Sequence, residues 1–232
     1  MRTLGLLGGM SWESTVPYYR LMNEAVRRRL GGLHSAKLLL ASVDFADIET
    51  LMRADRWGEA GSLLAQTART LERGGAEALV LCTNTLHKVA PAIQSAVCVP
   101  LLHILDPTAQ AARRSGLTRL GLLATRFTME SDFYIERLRD SGLEVLVPAR
   151  ADRDEVHRVI FEELCLGKVI TESRRRYQEV IARLAEAGAQ GIILGCTEIA
   201  MLIAARDSAL PLLDTTTLHA EYAVDWALAP PQ

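Results

Sequence analysis

The feature that most constrains this chain is a short apolar strand that ends in Cys-Thr and occurs twice. Ala78-Leu79-Val80-Leu81 run into Cys82-Thr83-Asn84-Thr85, and Gly191-Ile192-Ile193-Leu194 run through Gly195 into Cys196-Thr197-Glu198. A continuous apolar run of this length, bounded by turn residues, reads as a buried strand, and the polar residues after it as a turn that presents a thiol. A Gly-Ala pair precedes each run, at Gly75-Ala76 and Gly188-Ala189. The echo goes further. Thr3-Leu4-Gly5-Leu6-Leu7 returns as Arg119-Leu120-Gly121-Leu122-Leu123, and Val99-Pro100-Leu101-Leu102 returns as Leu210-Pro211-Leu212-Leu213. Three matched segments at nearly constant spacing predict two similar halves.

Strand-like and helix-like stretches alternate between these segments. The opening strand meets Gly8-Gly9-Met10-Ser11, a turn where backbone amides can approach a ligand. It lacks the lysine of a phosphate-binding loop and the GxGxxG order of a dinucleotide fold, which favours a close-packing turn or a site for another anion. A helix follows to about residue 30, with Pro17 in or near its first turn. Residues 37–43 read as a strand, Asp44 as the cap of a helix over 46–53, and 57–73 as a further helix. Beyond Cys82 a helix is expected near 86–96 and a strand over 99–104, and Asp106-Pro107 opens a helix that Gly116 closes. In the second half Thr125-Arg126-Phe127-Thr128 replaces the glycine turn, and a helix follows to about 141. A strand over 144–147, helices near 154–166 and 172–187, and a last helix near 217–229 complete the pattern. The alternation predicts an α/β protein of two pseudo-symmetric domains, each a mostly parallel sheet flanked by helices.

The 232 residues are 49% hydrophobic and 23% charged with a formal net charge of -2, which excludes a disordered chain and offers no basic footprint for nucleic acid. Arg27-Arg28-Arg29 and Arg174-Arg175-Arg176 read as helix-face charges. The N-terminus enters a strand directly, without the pattern of a signal peptide, and no apolar stretch reaches membrane-spanning length, so a cytoplasmic protein is expected. The four cysteines show no CxxC pair and no histidine-rich spacing, and are read as free thiols, with neither disulfides nor metal ligands.

In open parallel sheets ligands bind beyond the carboxyl ends of the strands, where Cys82 and Cys196 both fall. A cysteine of ordinary pKa, about 8.5, becomes a useful base where a helix N-terminus or nearby donors stabilise its thiolate. Inverting a carbon centre without a cofactor requires a proton to leave one face and another to arrive on the opposite face. Two thiols, one ionised and one protonated, can do this. Each cysteine alone is more simply a small buried hydrophobe; the matched pair, each followed by polar residues, favours chemistry. Cys98, between apolar neighbours, and Cys165, on an apolar helical stripe, are read as packing residues. His87 is placed to assist the first thiol or to act as a capping residue, and His103 and His219 share that ambiguity.

The stretches GLLGGMSWEST, LCTNTLHKVA and ILGCTEI resemble those of the aspartate/glutamate racemase family, the pyridoxal-phosphate-independent amino-acid racemases, over essentially the whole chain. The resemblance implies two domains with the site in the cleft between them. Their expected extents are residues 1–104 with a C-terminal helix of about 215–232, and residues 105–214. It implies Cys82 and Cys196 as the acid/base pair, no cofactor, a small amino-acid substrate and a homodimer. By position it implies substrate contacts at Met10, Met52, Thr83, Asn84, Thr85, Thr125, Thr197, Glu198 and Lys168. Members that hold a side-chain carboxylate offer an arginine after the second strand and a lysine in a segment like ELKxG. Here Met52 stands beside Arg53, and Glu163-Leu164-Cys165-Leu166-Gly167-Lys168 fills the second segment, which implies broad or non-acidic specificity. An aspartate or glutamate racemase proper, with Arg53 or Lys168 supplying the charge, is the alternative. Hydantoin racemases and maleate isomerases share the implied fold, and a non-catalytic amino-acid-binding protein is the alternative of another class.

Overall fold

A computed structural model describes residues 1–230. They form two four-stranded sheets, parallel throughout, in two compact units. The first unit comprises Met1–Ile104 and the chain from His219 onward, and the second comprises Leu105–Leu218.

The first unit opens with β1 (Leu4–Gly8), α1 (Trp12–Leu30) and β2 (Leu38–Ser42), followed by α2 (Phe45–Arg53), α3 (Trp57–Arg73) and β3 (Ala78–Leu81). A 3-10 turn (Thr85–Val89), α4 (Ala90–Gln94) and β4 (Leu101–Leu102) follow, giving the order β2-β1-β3-β4. The second unit has α5 (Leu105–Arg114), β5 (Arg119–Leu123), α6 (Arg126–Met129), α7 (Asp132–Asp140) and β6 (Glu144–Leu146). It continues through α8 (Arg150–Glu162), a 3-10 turn (Leu164–Leu166), α9 (Thr171–Glu186), β7 (Gly191–Leu194), α10 (Ile199–Leu202) and β8 (Leu212–Asp214), in the order β6-β5-β7-β8. The second order is the first with every strand replaced by its sequence counterpart. Three of the four strand pairs related in this way, β1 and β5, β3 and β7, and β4 and β8, lie in the segments that the sequence repeats.

Local chemistry explains where element boundaries depart from the pattern. Asp44 caps α2 as expected, its carboxylate accepting from the Ala46 amide at 3.0 Å. The helix expected near 86–96 is divided because Pro91, in the first turn of α4, has no amide to continue the preceding 3-10 turn. The strand expected over 99–104 shortens to two residues after Pro100, which likewise cannot donate. Pro17 lies inside α1, beyond the first turn. The helix expected to reach residue 141 is broken at Ser131, whose backbone is extended (φ -108, ψ 133) at the start of α7. The 154–166 helix begins earlier, at Arg150, and gives way after Glu162, so Cys165 sits on a 3-10 turn and not on a helical stripe. Cys98 is exposed, in a connection whose Cys98 and Val99 amides donate to Glu72 Oε1 at 2.7 and 3.0 Å.

The last helix, α11 (Thr215–Leu228), starts in the second unit and completes the core of the first. Ala220, Ala223, Val224 and Ala227 recur at helical spacing and pack with Tyr18, Met22, Ala25 and Val26 of α1 beside Leu4, Leu6 and Val80. Arg29 of α1 bonds Glu221 at 2.7 Å and Asp225 at 2.6 Å, and Arg28 also pairs with Glu221. The Arg2 amide donates to Ala227 O at 2.9 Å. The expected C-terminal helix ran to 232; Pro231 and Gln232 lie outside the described residues.

His219 fastens this helix. Its Nε2–H donates to Leu102 O at 2.7 Å, which leaves Nδ1 to accept from the Tyr18 hydroxyl at 2.9 Å. Burial lowers its pKa to about 4, outweighing the carbonyl that favours the charged ring. An unfolded chain takes up a proton at this side chain near its ordinary value of about 6.5, which the folded chain resists. Its contribution to stability is thus full above about pH 6.5 and declines toward pH 4, by at most about 3 kcal/mol. Denaturant unfolding measured between pH 7 and pH 4 should show a shallower loss of stability for His219→Gln, which cannot titrate, than for the wild type. Equal slopes would contradict this assignment.

Candidate active site

Within each parallel sheet the carboxyl ends of the strands share one edge, and the predicted site residues follow those ends. In the first unit these are the turn after β1, α2 after β2 and the Cys82 segment after β3. In the second they are Thr125 after β5 and Cys196 after β7.

The turn after β1 is tied to the first cysteine. Gly9 has φ +93, and a Cβ there would stand 2.2 Å from Val43 O, so only glycine fits. The Gly9 amide donates to Thr15 Oγ1 at 2.9 Å, and that hydroxyl donates to Ser11 O at 3.0 Å. Ser14 Oγ bonds Ser11 O at 2.9 Å and Cys82 O at 3.4 Å. Met10 in this turn and Met52 in α2 are both buried. The Cys82 amide continues the ladder to Leu7 O at 2.9 Å, while its thiol, fully buried, lies 3.8 Å from Val80 O. Burial pushes this thiol well above the ordinary cysteine range. Thr83, Asn84 and Thr85 follow, all buried.

His87 engages backbone through both ring nitrogens. Nδ1–H donates to Thr83 O at 2.8 Å, and Nε2 accepts from the Ile104 amide at 3.3 Å. It therefore braces the Cys82–Thr85 turn against the end of β4, and the His103 ring packs against it, tilted by 59°, at 4.4 Å between ring centroids.

In the second unit Cys196 Sγ donates to Glu198 Oε2 at 3.0 Å, and Thr197 Oγ1 donates to the same oxygen at 2.7 Å. Cys165 Sγ approaches the other oxygen, Oε1, at 3.6 Å. Burial and then the Glu198 charge push the Cys196 thiol up. The buried phenols of Tyr134 and Tyr177 are held neutral by burial, reinforced by the charge Cys196 would carry. Thr125 caps α6 through its carbonyl, which accepts from the Thr128 and Met129 amides at 2.9 Å, and its hydroxyl lies 3.3 Å from that of Thr128. Lys168 is on the exposed stretch that follows Gly167, and among the described residues its side chain makes no ion pair.

The structure thus gathers Cys196, Thr197 and Glu198 into one cluster and adds Cys165, which sequence reasoning had assigned to packing. Helical periodicity hid it, because the stretch reads as helix until Gly167, at φ 70, closes the 3-10 turn. Among the described residues no group of three or more His, Cys, Asp or Glu side chains is placed to hold a metal ion, and no helix is long and apolar enough to cross a membrane.

Comparisons with known proteins bear on the family. Residues 7–223 match the model of the Asp/Glu/Hydantoin racemase family. The broad specificity amino-acid racemase RacX of Bacillus subtilis is 24% identical over 97% of this chain and 98% of its own. Among solved structures, an Asp/Glu racemase candidate from Yersinia pestis is 52% identical, with a TM-score of 0.91 over 99% of this chain and 100% of that one. An aspartate racemase homologue from Pyrococcus horikoshii is 31% identical, with a TM-score of 0.86 over the same shares. With a family model spanning nearly the whole chain, and with two parallel sheets that each end a strand in Cys-Thr, this protein belongs to the Asp/Glu/hydantoin racemase family.

Proposed function

We propose that the protein is a cofactor-independent amino-acid racemase in which Cys82 and Cys196 act on opposite faces of the substrate α-carbon. The observation that carries this reading is the equivalent presentation of the two thiols: each is buried, each follows the third strand of its unit, which pairs with the opening strand, and each is followed by a hydroxyl residue. Two-base inversion needs one thiolate to take the α-proton and one thiol to deliver another, with roles exchanged in the reverse direction.

Burial of both thiols makes the thiolate scarce before substrate arrives. A substrate ammonium group supplies a positive charge that favours it, and the same dry surroundings strengthen the attraction. Negative charge also develops on the substrate carboxylate as the α-proton leaves. Hydroxyl and amide donors of Thr83, Asn84, Thr85, Thr125 and Thr197 are the groups we assign to holding it, with the buried Met10 and Met52 as apolar substrate contacts.

Specificity is proposed to be broad or non-acidic. Met52 is apolar and Lys168 is exposed, so a buried side-chain carboxylate would lack a strong partner. The name of the RacX relative supports the same reading. A homodimer is part of the proposal, supported by the apolar face of α1, where Trp12, Val16 and Tyr19 are more than half exposed.

L- and D-amino acids incubated separately in deuterated buffer, with enzyme dialysed against chelator, should racemise and acquire deuterium at the α-carbon. Neutral side chains should compete with aspartate and glutamate within about tenfold in kcat/KM, the scale of one missing charge-assisted contact. Binding without label would leave a pure binder. Activity lost on dialysis and restored by a metal or pyridoxal phosphate would overturn cofactor independence, and a preference for aspartate by orders of magnitude would overturn the specificity.

A further inference from the structure

Two-base racemisation leaves the enzyme changed. After one turnover the thiolate and thiol have exchanged places, and the free enzyme must trade a proton with solvent before it can act in the same direction again. A buried thiol needs a route for that proton. Resting on the proposed racemase reading, we infer that Glu198, held between Cys196 and Cys165, is the route that resets Cys196, with Cys165 as the positioning residue that keeps the carboxylate spanning the two.

The geometry provides one oxygen for each side. Oε2 accepts from Cys196 at 3.0 Å and from Thr197 at 2.7 Å, and Oε1 faces Cys165 at 3.6 Å. Cys196 and Glu198 are buried, whereas Cys165 is partly exposed, so the cluster runs from the interior toward solvent. In the outward direction Cys196 gives its proton to Oε2, leaving a thiolate and a neutral carboxyl group. The carboxyl group then releases one proton to solvent on the Cys165 side and is a carboxylate again. The reverse sequence returns a proton to Cys196. Negative charge moves within the cluster in the first step without any net charge being created, which keeps the cost low in a dry site.

The other ionisable groups around the cluster are already committed. Tyr134 of α7 and Tyr177 of α9 stay neutral, the latter donating to Val156 O at 2.9 Å. Glu163 accepts from Ser173 Oγ at 2.6 Å and from Arg158 at 3.0 Å. Glu155 is held at about 2 by Arg158, with Arg176 adding to it. Lys168 is exposed.

The test is racemisation kinetics of Cys165→Ala and Cys165→Ser beside the wild type, with substrate taken well above KM and with increasing concentrations of imidazole buffer. At low substrate the two enzyme forms equilibrate, so kcat/KM should stay within about twofold of wild type in both variants. At saturation the reset limits the rate, and Cys165→Ala should lose about tenfold in kcat, the effect of removing one hydrogen bond to a charged group. Serine, which keeps a donor, should restore most of it, and imidazole, as a proton carrier, should restore the alanine variant. A kcat unchanged in the alanine variant, or kcat and kcat/KM falling together with no response to imidazole, overturns the inference while leaving the racemase reading in place. A wild type that does not racemise overturns both.

Discussion

Burying a thiol at the end of a strand is the constraint on which each unit depends. A cysteine in that position is easily kept neutral and inert, because removing its proton creates a charge away from water. Polar groups surround both Cys82 and Cys196, and the rest of the fold holds those groups in place. In the first unit the hydroxyls of Ser14 and Thr15 knit the glycine turn to the Cys82 segment, and His87 braces that segment from behind through two backbone bonds. In the second the partners are Thr197, Glu198 and Cys165. The two environments differ: one is set by backbone and hydroxyl groups, the other by a carboxylate.

The sheets that carry these segments are built alike for a packing reason. Gly5 and Gly121 lie within the opening strand of each unit, and a Cβ at either would come within 2.8 Å of an atom on the neighbouring strand or its approach. Leu71 of α3 and Leu184 of α9 lie over the same two positions, at 3.2 and 3.0 Å. Glycine there lets the helix before each cysteine strand sit close on the sheet, at the cost of backbone entropy in a strand. Gly75 and Gly188, at φ +97 and +94, then turn the chain from that helix into the cysteine strand. The repeated glycines and the repeated cysteines are therefore parts of one packing solution used twice.

Most of this was legible in the sequence because it is local and periodic. The apolar runs, the Gly-Ala turns, the Asp44 cap and the bounds of α3 follow from spacing and turn chemistry within a few residues. The division of helices at Pro91 and Ser131 was within reach of the same rules. The contact of Cys165 with Glu198 was not, because it joins residues 33 apart through the end of α8 and the turn after β7. Nor did the alanine stripe of α11 say which sheet it covers; Tyr18, His219 and Leu102 decide that by satisfying one another in the core. The resemblance to a racemase family supplied roles for residues that no spacing rule assigns.

The central claim is that each thiol serves one face of the α-carbon, and solvent exchange measured one enantiomer at a time tests it most directly. Cys82→Ala and Cys196→Ala should each abolish racemisation, since inversion needs both groups. Each variant should still be able to exchange the α-hydrogen of one enantiomer with retention of configuration, and the two should prefer opposite enantiomers when α-deuterium uptake is followed by NMR. Cys98→Ala should racemise normally. Racemisation near the wild-type rate in either Cys82→Ala or Cys196→Ala would contradict the two-thiol mechanism and return both cysteines to the packing of their strands.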